Sequence, residues 1–166
     1  MVARVIPVDP FDLVIFGGTG DLARRKILPA LCRRFADGQM PEGSRIIGAA
    51  RAALDTDGFR QMIREALDEF LGEDAPDTDS QSGFLEALSY VKVDAASDDG
   101  WADLRGALRE DVVRAFYFSV GPSLFGPIAA QLGAFNLVTP ETRIVVEKPF
   151  GHDLETARAL NQTLAA

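Results

Sequence analysis

The chain has 166 residues, of which 47% are hydrophobic and 25% charged, and its formal net charge is −8. That length builds one domain with a packed core, and the composition is globular rather than disordered. The acidic balance argues against nucleic acid and anionic membranes as partners. One cysteine excludes an internal disulfide, and one histidine argues against a His/Cys metal cage.

No run reaches the roughly 18 apolar residues of a membrane span. Met1–Pro10 lacks the apolar stretch of a signal peptide and reads as a flexible arm, so a reduced, cytoplasmic setting is expected. The charge is uneven. Residues 1–53 carry 8 basic and 5 acidic groups, residues 54–112 carry 5 and 16, and residues 113–166 carry 4 and 4. The first third is locally basic inside an acidic chain.

Phe11–Gly17 is a short apolar run ending in glycine, which predicts a buried strand. Leu22–Phe35 follows as a helix, with Leu28, Leu31, Cys32 and Phe35 on one apolar face. Pro29 lies inside it, and a missing backbone donor there predicts a kink or break near Leu28. Asp37-Gly38 is a C-cap signal. Arg45–Ala50 is the second strand. Asp55 or Thr56 caps a helix whose stripe is Phe59, Met62, Ile63, Ala66, Leu67, Phe70 and Leu71.

Gly72–Gly83 is polar and acidic and reads as a mobile surface loop. A third strand lies within Leu85–Val93, beginning near Leu88. Ser97–Arg109 is a helix with Trp101, Leu104 and Leu108 inward. Val112–Val120 is a fourth strand, rich in β-branched and aromatic residues. Ser123–Gly133 is a helix, Arg143–Glu147 a fifth strand, and Asp153–Leu164 a last helix capped by Asp153. Five alternating units of this kind predict an α/β, doubly wound parallel sheet with helices on both faces, spanning 11–166 as one domain. Ligands of such sheets bind at the carboxyl ends of the strands.

Gly17-Gly18-Thr19-Gly20-Asp21-Leu22-Ala23 joins the first strand to the first helix. Its glycines permit a tight turn and a close ligand, and the helix start offers free N–H groups to a pyrophosphate. The pattern G-G-x-G departs from the usual G-x-G-x-x-G, and its place after the first strand is what gives it weight. The alternative is a plain strand-to-helix turn. Asp21 would repel an anion unless its side chain turns away, so from charge alone it supports the turn.

The second strand ends at Arg51, with no acid at its tip; Asp55 and Asp57 are the nearest. An acid there favours NAD through a ribose hydroxyl, whereas an arginine accommodates the 2′-phosphate of NADP. The alternative for Arg51 is a solvated surface residue, and for Arg24, Arg25 and Lys26 a solvated helix face. Glu147-Lys148-Pro149-Phe150-Gly151 follows the fifth strand and sets Lys148 at the crevice, or else in a solvated turn. Cys32 reads as a core residue and His152 as a surface helix-start residue.

Together these segments resemble the glucose-6-phosphate 1-dehydrogenase family, through residues 16–26, Gly48-Ala49-Ala50-Arg51, and Glu147–Gly151. Residues 116–123 are similar to the family's stretch at the end of strand four, with Gly121 where a first proline is common. The resemblance implies a Rossmann-type fold and an oxidoreductase of the pentose phosphate pathway. Such an enzyme oxidises C1 of glucose 6-phosphate to 6-phosphogluconolactone and reduces NADP.

By matching position, Gly17, Gly18, Thr19, Gly20, Asp21 and Leu22 would hold the pyrophosphate and Arg51 the 2′-phosphate. Asp94 and Ala95 would line the adenosine side, and Phe125 would lie near the cofactor. Lys148 would sit between nicotinamide and sugar. The family's catalytic histidine and its R-I-D-H-Y-L-G-K segment have no match here, and His152 matches no catalytic position. The chain alone is therefore expected to bind NADP without turnover, lacking a substrate domain, and to self-associate through its last helix. Two rival readings are a sugar oxidoreductase of the glucose–fructose oxidoreductase type and a non-catalytic dinucleotide-binding module.

Overall fold

The computed structural model describes residues 10–73 and 75–146. Met1–Asp9, the expected helix at Asp153–Leu164 and the Glu147–Gly151 segment with Lys148 therefore lie outside the described residues. Strands β1 (Phe11–Phe16), β2 (Arg45–Ala50), β3 (Leu88–Lys92), β4 (Val113–Phe118) and β5 (Arg143–Val146) form one sheet in the order β3-β2-β1-β4-β5. Every pairing is parallel. The helices are α1 (Leu28–Ala36), α2 (Thr56–Phe70), α3 (Thr78–Glu86), α4 (Trp101–Ala107) and α5 (Phe125–Ala134).

Alternation along β1 divides the core in two. Leu13 and Ile15 point to a cluster with Leu28, Cys32, Phe59 and Phe84, beneath α1, α2 and α3. Val14 and Phe16 point to the opposite cluster, with Trp101, Phe116, Phe118 and Ile128, beneath α4 and α5. Both faces are covered, as the doubly wound reading requires. The order reverses between β1 and β4, so a crevice opens at the carboxyl ends of those strands.

The proline break appears as a change of helix type. Ala23–Ile27 is a π-helical turn, and α1 starts immediately after it with Pro29 in its first turn. Leu28 N donates five residues back, to Ala23 O, so the helix is already widened where Pro29 has no N–H to donate. Asp55 rather than Thr56 caps α2, accepting from Gly58 N at 2.7 Å. Thr56 instead accepts from Tyr90 N through its hydroxyl, at 3.2 Å.

The predicted loop at Gly72–Gly83 needs correction, because α3 begins within it at Thr78. Asp77 caps this helix by accepting from Ser80 N at 2.7 Å, and that bond holds its carboxyl below the usual range. Only Phe84 and Leu85 are buried along α3, which is too few to write a helical period into the sequence. The predicted helix at Ser97 also starts later, at Trp101. Gly100 precedes it with φ +87°, and a Cβ there would run into the Lys92 carbonyl. A short 3₁₀ turn, Pro122–Leu124, precedes α5.

Asp12 is fully buried inside β1 and ties down the amino edge of the sheet. It accepts from Arg109 N at 2.8 Å and from Arg109 Nη2 at 2.6 Å. The same Arg109 nitrogen reaches Gly43 O at 2.7 Å, so one ion pair joins three connections. Breaking a buried pair by removing one partner typically costs about 3–5 kcal/mol.

Burial pushes the Cys32 thiol up from 9.0 to about 11, and burial also raises the Tyr90 hydroxyl. The Cys32 thiol is neutral below its raised value, so the unfolded chain loses that proton first as pH rises. Its contribution is complete below pH 9 and is lost by about pH 11. The urea midpoint should therefore fall across that window, and Cys32→Ala should flatten the fall when measured by circular dichroism.

Candidate functional site

The three glycines of the first turn do different work. Gly17 has φ +82° and donates to Ala49 O at 2.8 Å. A Cβ there would collide with the Ser119 carbonyl on the other side. Gly18 is buried, and its Cβ would lie 3.0 Å from Gly48 Cα, so it serves close packing onto β2. Gly20 donates to Gly17 O at 2.9 Å and closes the turn. Thr19 N has no partner among the described residues, and the first turn of any helix leaves N–H groups free.

These residues border a crevice of about 400 Å³ at the carboxyl ends of β1 to β4. Gly17, Thr19 and Gly20 form one wall, and Ala50, Arg51 and Ala52 another. Asp94, Ala95 and Ala96 face them after β3. The volume is in the range of small-ligand sites. Arg51 is exposed at the rim and has no hydrogen-bond or ion-pair partner among the described residues. The Asp55 carboxylate accepts its helix-cap bond from Gly58 N at 2.7 Å.

Some expected residues face elsewhere. Asp21 is 72% exposed and pairs with Arg25 at 2.8 Å, so its charge turns away from the crevice. Leu22 packs against the α1–α3 core. Phe125 is 3% exposed and lies 5.5 Å from the Phe118 ring in the opposite core, whereas Leu124 and Ile128 line the crevice. Asp94 works through its turn, accepting from Ala96 N at 2.9 Å through its carboxylate. Its main-chain oxygen accepts from Trp101 Nε1 at 3.0 Å.

Trp101 and Gln131 have no part in the sequence reading of the site. Trp101 Nε1 also donates to Ser97 O at 3.0 Å, and Gln131 Nε2 donates to the same oxygen at 2.9 Å. They hold the 94–99 turn from behind, Trp101 from the helix that follows it and Gln131 from 34 residues along the chain. A single tryptophan on an apolar helix face signals only core packing.

A larger cavity, about 570 Å³, lies at the opposite edge between the last turns of α4 and α5. Helix carboxyl ends carry partial negative charge, which disfavours a pyrophosphate. Its buried Arg114 already donates to Leu137 O at 3.0 Å.

A glycine turn opening onto a helix start, at the switch point of a 3-2-1-4-5 parallel sheet, defines a dinucleotide-binding domain of the Rossmann type. Residues 14–166 match the family described as "Glucose-6-phosphate dehydrogenase, NAD binding domain". The chain belongs to that family. It is 49% identical over 166 residues to glucose-6-phosphate 1-dehydrogenase of Rhizobium meliloti, covering 99% of this chain and 34% of that protein. Against the enzyme of Mycolicibacterium smegmatis it is 45% identical, covering 96% and 34%.

Among solved structures, glucose-6-phosphate 1-dehydrogenase from Mycobacterium avium superposes with TM-score 0.81 at 36% identity, over 95% of this chain and 34% of that one. A glucose-6-phosphate dehydrogenase in complex with its substrate glucose-6-phosphate gives 0.78 at 31% identity, over 99% and 35%. The chain thus spans about a third of the length of these relatives.

The glycine roles separate by substitution. Gly17→Ala forces a side chain into positive φ and against a fixed carbonyl, which costs about 1–2 kcal/mol from φ alone and more from the clash. Gly20→Ala meets only the Gly17 carbonyl, at 3.1 Å. Thermal melting should show a large drop for Gly17→Ala and a small one for Gly20→Ala, while Gly20→Ala still weakens dinucleotide binding in a titration.

Proposed function

We propose that this chain is the coenzyme-binding portion of an enzyme that oxidises glucose 6-phosphate at C1 with NADP. The observation that carries the cofactor choice is Arg51, a cation with no partner among the described residues, at the rim of the crevice where β2 ends. A guanidinium there suits the 2′-phosphate, through charge-assisted and bidentate hydrogen bonds. The glycine turn suits the pyrophosphate, because Thr19 N has no partner among the described residues and stands with Gly17 and Gly20 on the crevice wall. The substrate follows from the relatives' names and from the solved relative with glucose 6-phosphate.

In this reading the chain's own residues bind and orient. Thr19 N and the helix start hold the diphosphate, Arg51 holds the 2′-phosphate, and Ala95 and Ala96 exclude water from the adenosine. Bound NADP supplies the hydride acceptor. Lys148, outside the described residues, is proposed to border both nicotinamide and sugar. No general base for the C1 hydroxyl is assigned within this chain, so binding without turnover is the expectation. A cytoplasmic place in the pentose phosphate pathway belongs to the same proposal. No helix of the described residues is long and apolar enough to cross a membrane.

Calorimetric titration tests this reading. NADP should bind more tightly than NAD, and Arg51→Ala should weaken NADP by about tenfold or more, as for loss of a charged hydrogen bond, while leaving NAD nearly unchanged. Equal binding of the two cofactors, or an unaffected variant, would contradict the assignment.

A further inference from the structure

The bend that carries Arg51 is held from the neighbouring strand. Tyr90 on β3 is 7% exposed, and its hydroxyl lies 3.0 Å from Ala50 O and 2.7 Å from Ala52 O. These are the carbonyls on either side of Arg51. Both also serve the main chain: Ala50 O accepts from Val93 N at 2.8 Å, and Ala52 O accepts from Leu54 N at 3.0 Å. The phenol has one proton, which the two oxygens share. It is the one side chain among the described residues that ties the two together.

The phenol itself is fixed. Its ring lies 5.3 Å from the Phe59 ring, and Phe59 sits on Gly48 where a Cβ has no room. Gly48 is the register partner of Tyr90, so the missing side chain on β2 makes the space that Phe59 fills. Tyr90 N is held by Thr56 at 3.2 Å. The restraint therefore runs from Gly48 through Phe59 and the phenol to both flanks of Arg51.

We propose that Tyr90 is a positioning residue for Arg51 and through it sets the preference for a 2′-phosphorylated dinucleotide. The proposal rests on the cofactor role given above to Arg51. An arginine loses much side-chain freedom when it binds, so a bend that fixes its main chain leaves less to order. In this proposal Arg51 is the partner of the 2′-phosphate, and the pyrophosphate belongs to the separate wall of Gly17, Thr19 and Gly20. Burial also raises the Tyr90 hydroxyl, which stays a donor at neutral pH.

The test is calorimetry of the chain with NADP and with NAD, for the parent, Tyr90→Phe, Arg51→Ala and the double variant. Tyr90→Phe keeps the ring on Phe59 and removes only the hydroxyl. It should weaken NADP about five- to tenfold, the scale of one hydrogen bond, and change NAD less than about twofold. In the Arg51→Ala background, Tyr90→Phe should add nothing. If Arg51→Ala weakens NADP but Tyr90→Phe does not, or weakens both cofactors alike, the positioning role is wrong while the Arg51 reading stands. A Tyr90→Phe chain too unstable to titrate would make the hydroxyl a folding requirement and also overturn the role. If Arg51→Ala leaves NADP unchanged, the underlying cofactor reading fails and the proposal falls with it.

Discussion

At the end of β1 the backbone touches both neighbouring strands with no side chain between. Gly17 donates to Ala49 O on β2 while its Cα faces the Ser119 carbonyl after β4. Ser119 N in turn donates to Phe16 O at 2.9 Å. This contact fixes where the sheet order reverses and how tightly the turn leaves it. Only glycine has both the positive φ and the missing volume. The crevice, the helix start that faces it and the spacing of its walls all follow from that approach.

The walls are then set by different means. The Arg51 wall is a bend stitched to β3 by Tyr90, and the Asp94–Ala96 wall is a turn held by Trp101 and Gln131. Tyr90 belongs to one core and Trp101 to the other, so packing on both faces of the sheet is transmitted to the rim. At the far edge the buried Asp12–Arg109 pair does the corresponding task for the amino ends of the strands. A domain with an acidic total charge can hold an anionic ligand this way, because the donors are local: main-chain N–H groups and one cation with no partner among the described residues.

The sheet was legible in the sequence because β1 and β2 are short apolar runs closed by glycine or arginine and the later strands are rich in β-branched and aromatic residues. The site's place was legible because a glycine turn after the first strand has one position in such a sheet. Arg51 could be found by its offset from β2 alone. What was not legible depends on contacts across the fold. Helix α3 hid inside a polar stretch because it buries only Phe84 and Leu85. Tyr90 read as one more strand aromatic, since its opposition to Gly48 exists only in the register of β2 and β3. The family-based placement of Phe125 gave its position along the chain and not its direction, which is inward. The same holds for Leu22 and Asp21, which lie in the turn but point away from the crevice.

The central claim is that the dinucleotide occupies the crevice at the carboxyl ends of the strands. The most direct measurement is a two-dimensional amide NMR titration of the chain with NADP. The account predicts that the amides of Thr19, Gly20, Arg51 and Ala95 shift together and saturate at one affinity. Shifts confined instead to the opposite edge, around Gly106, Arg114 and Asn136, would contradict it.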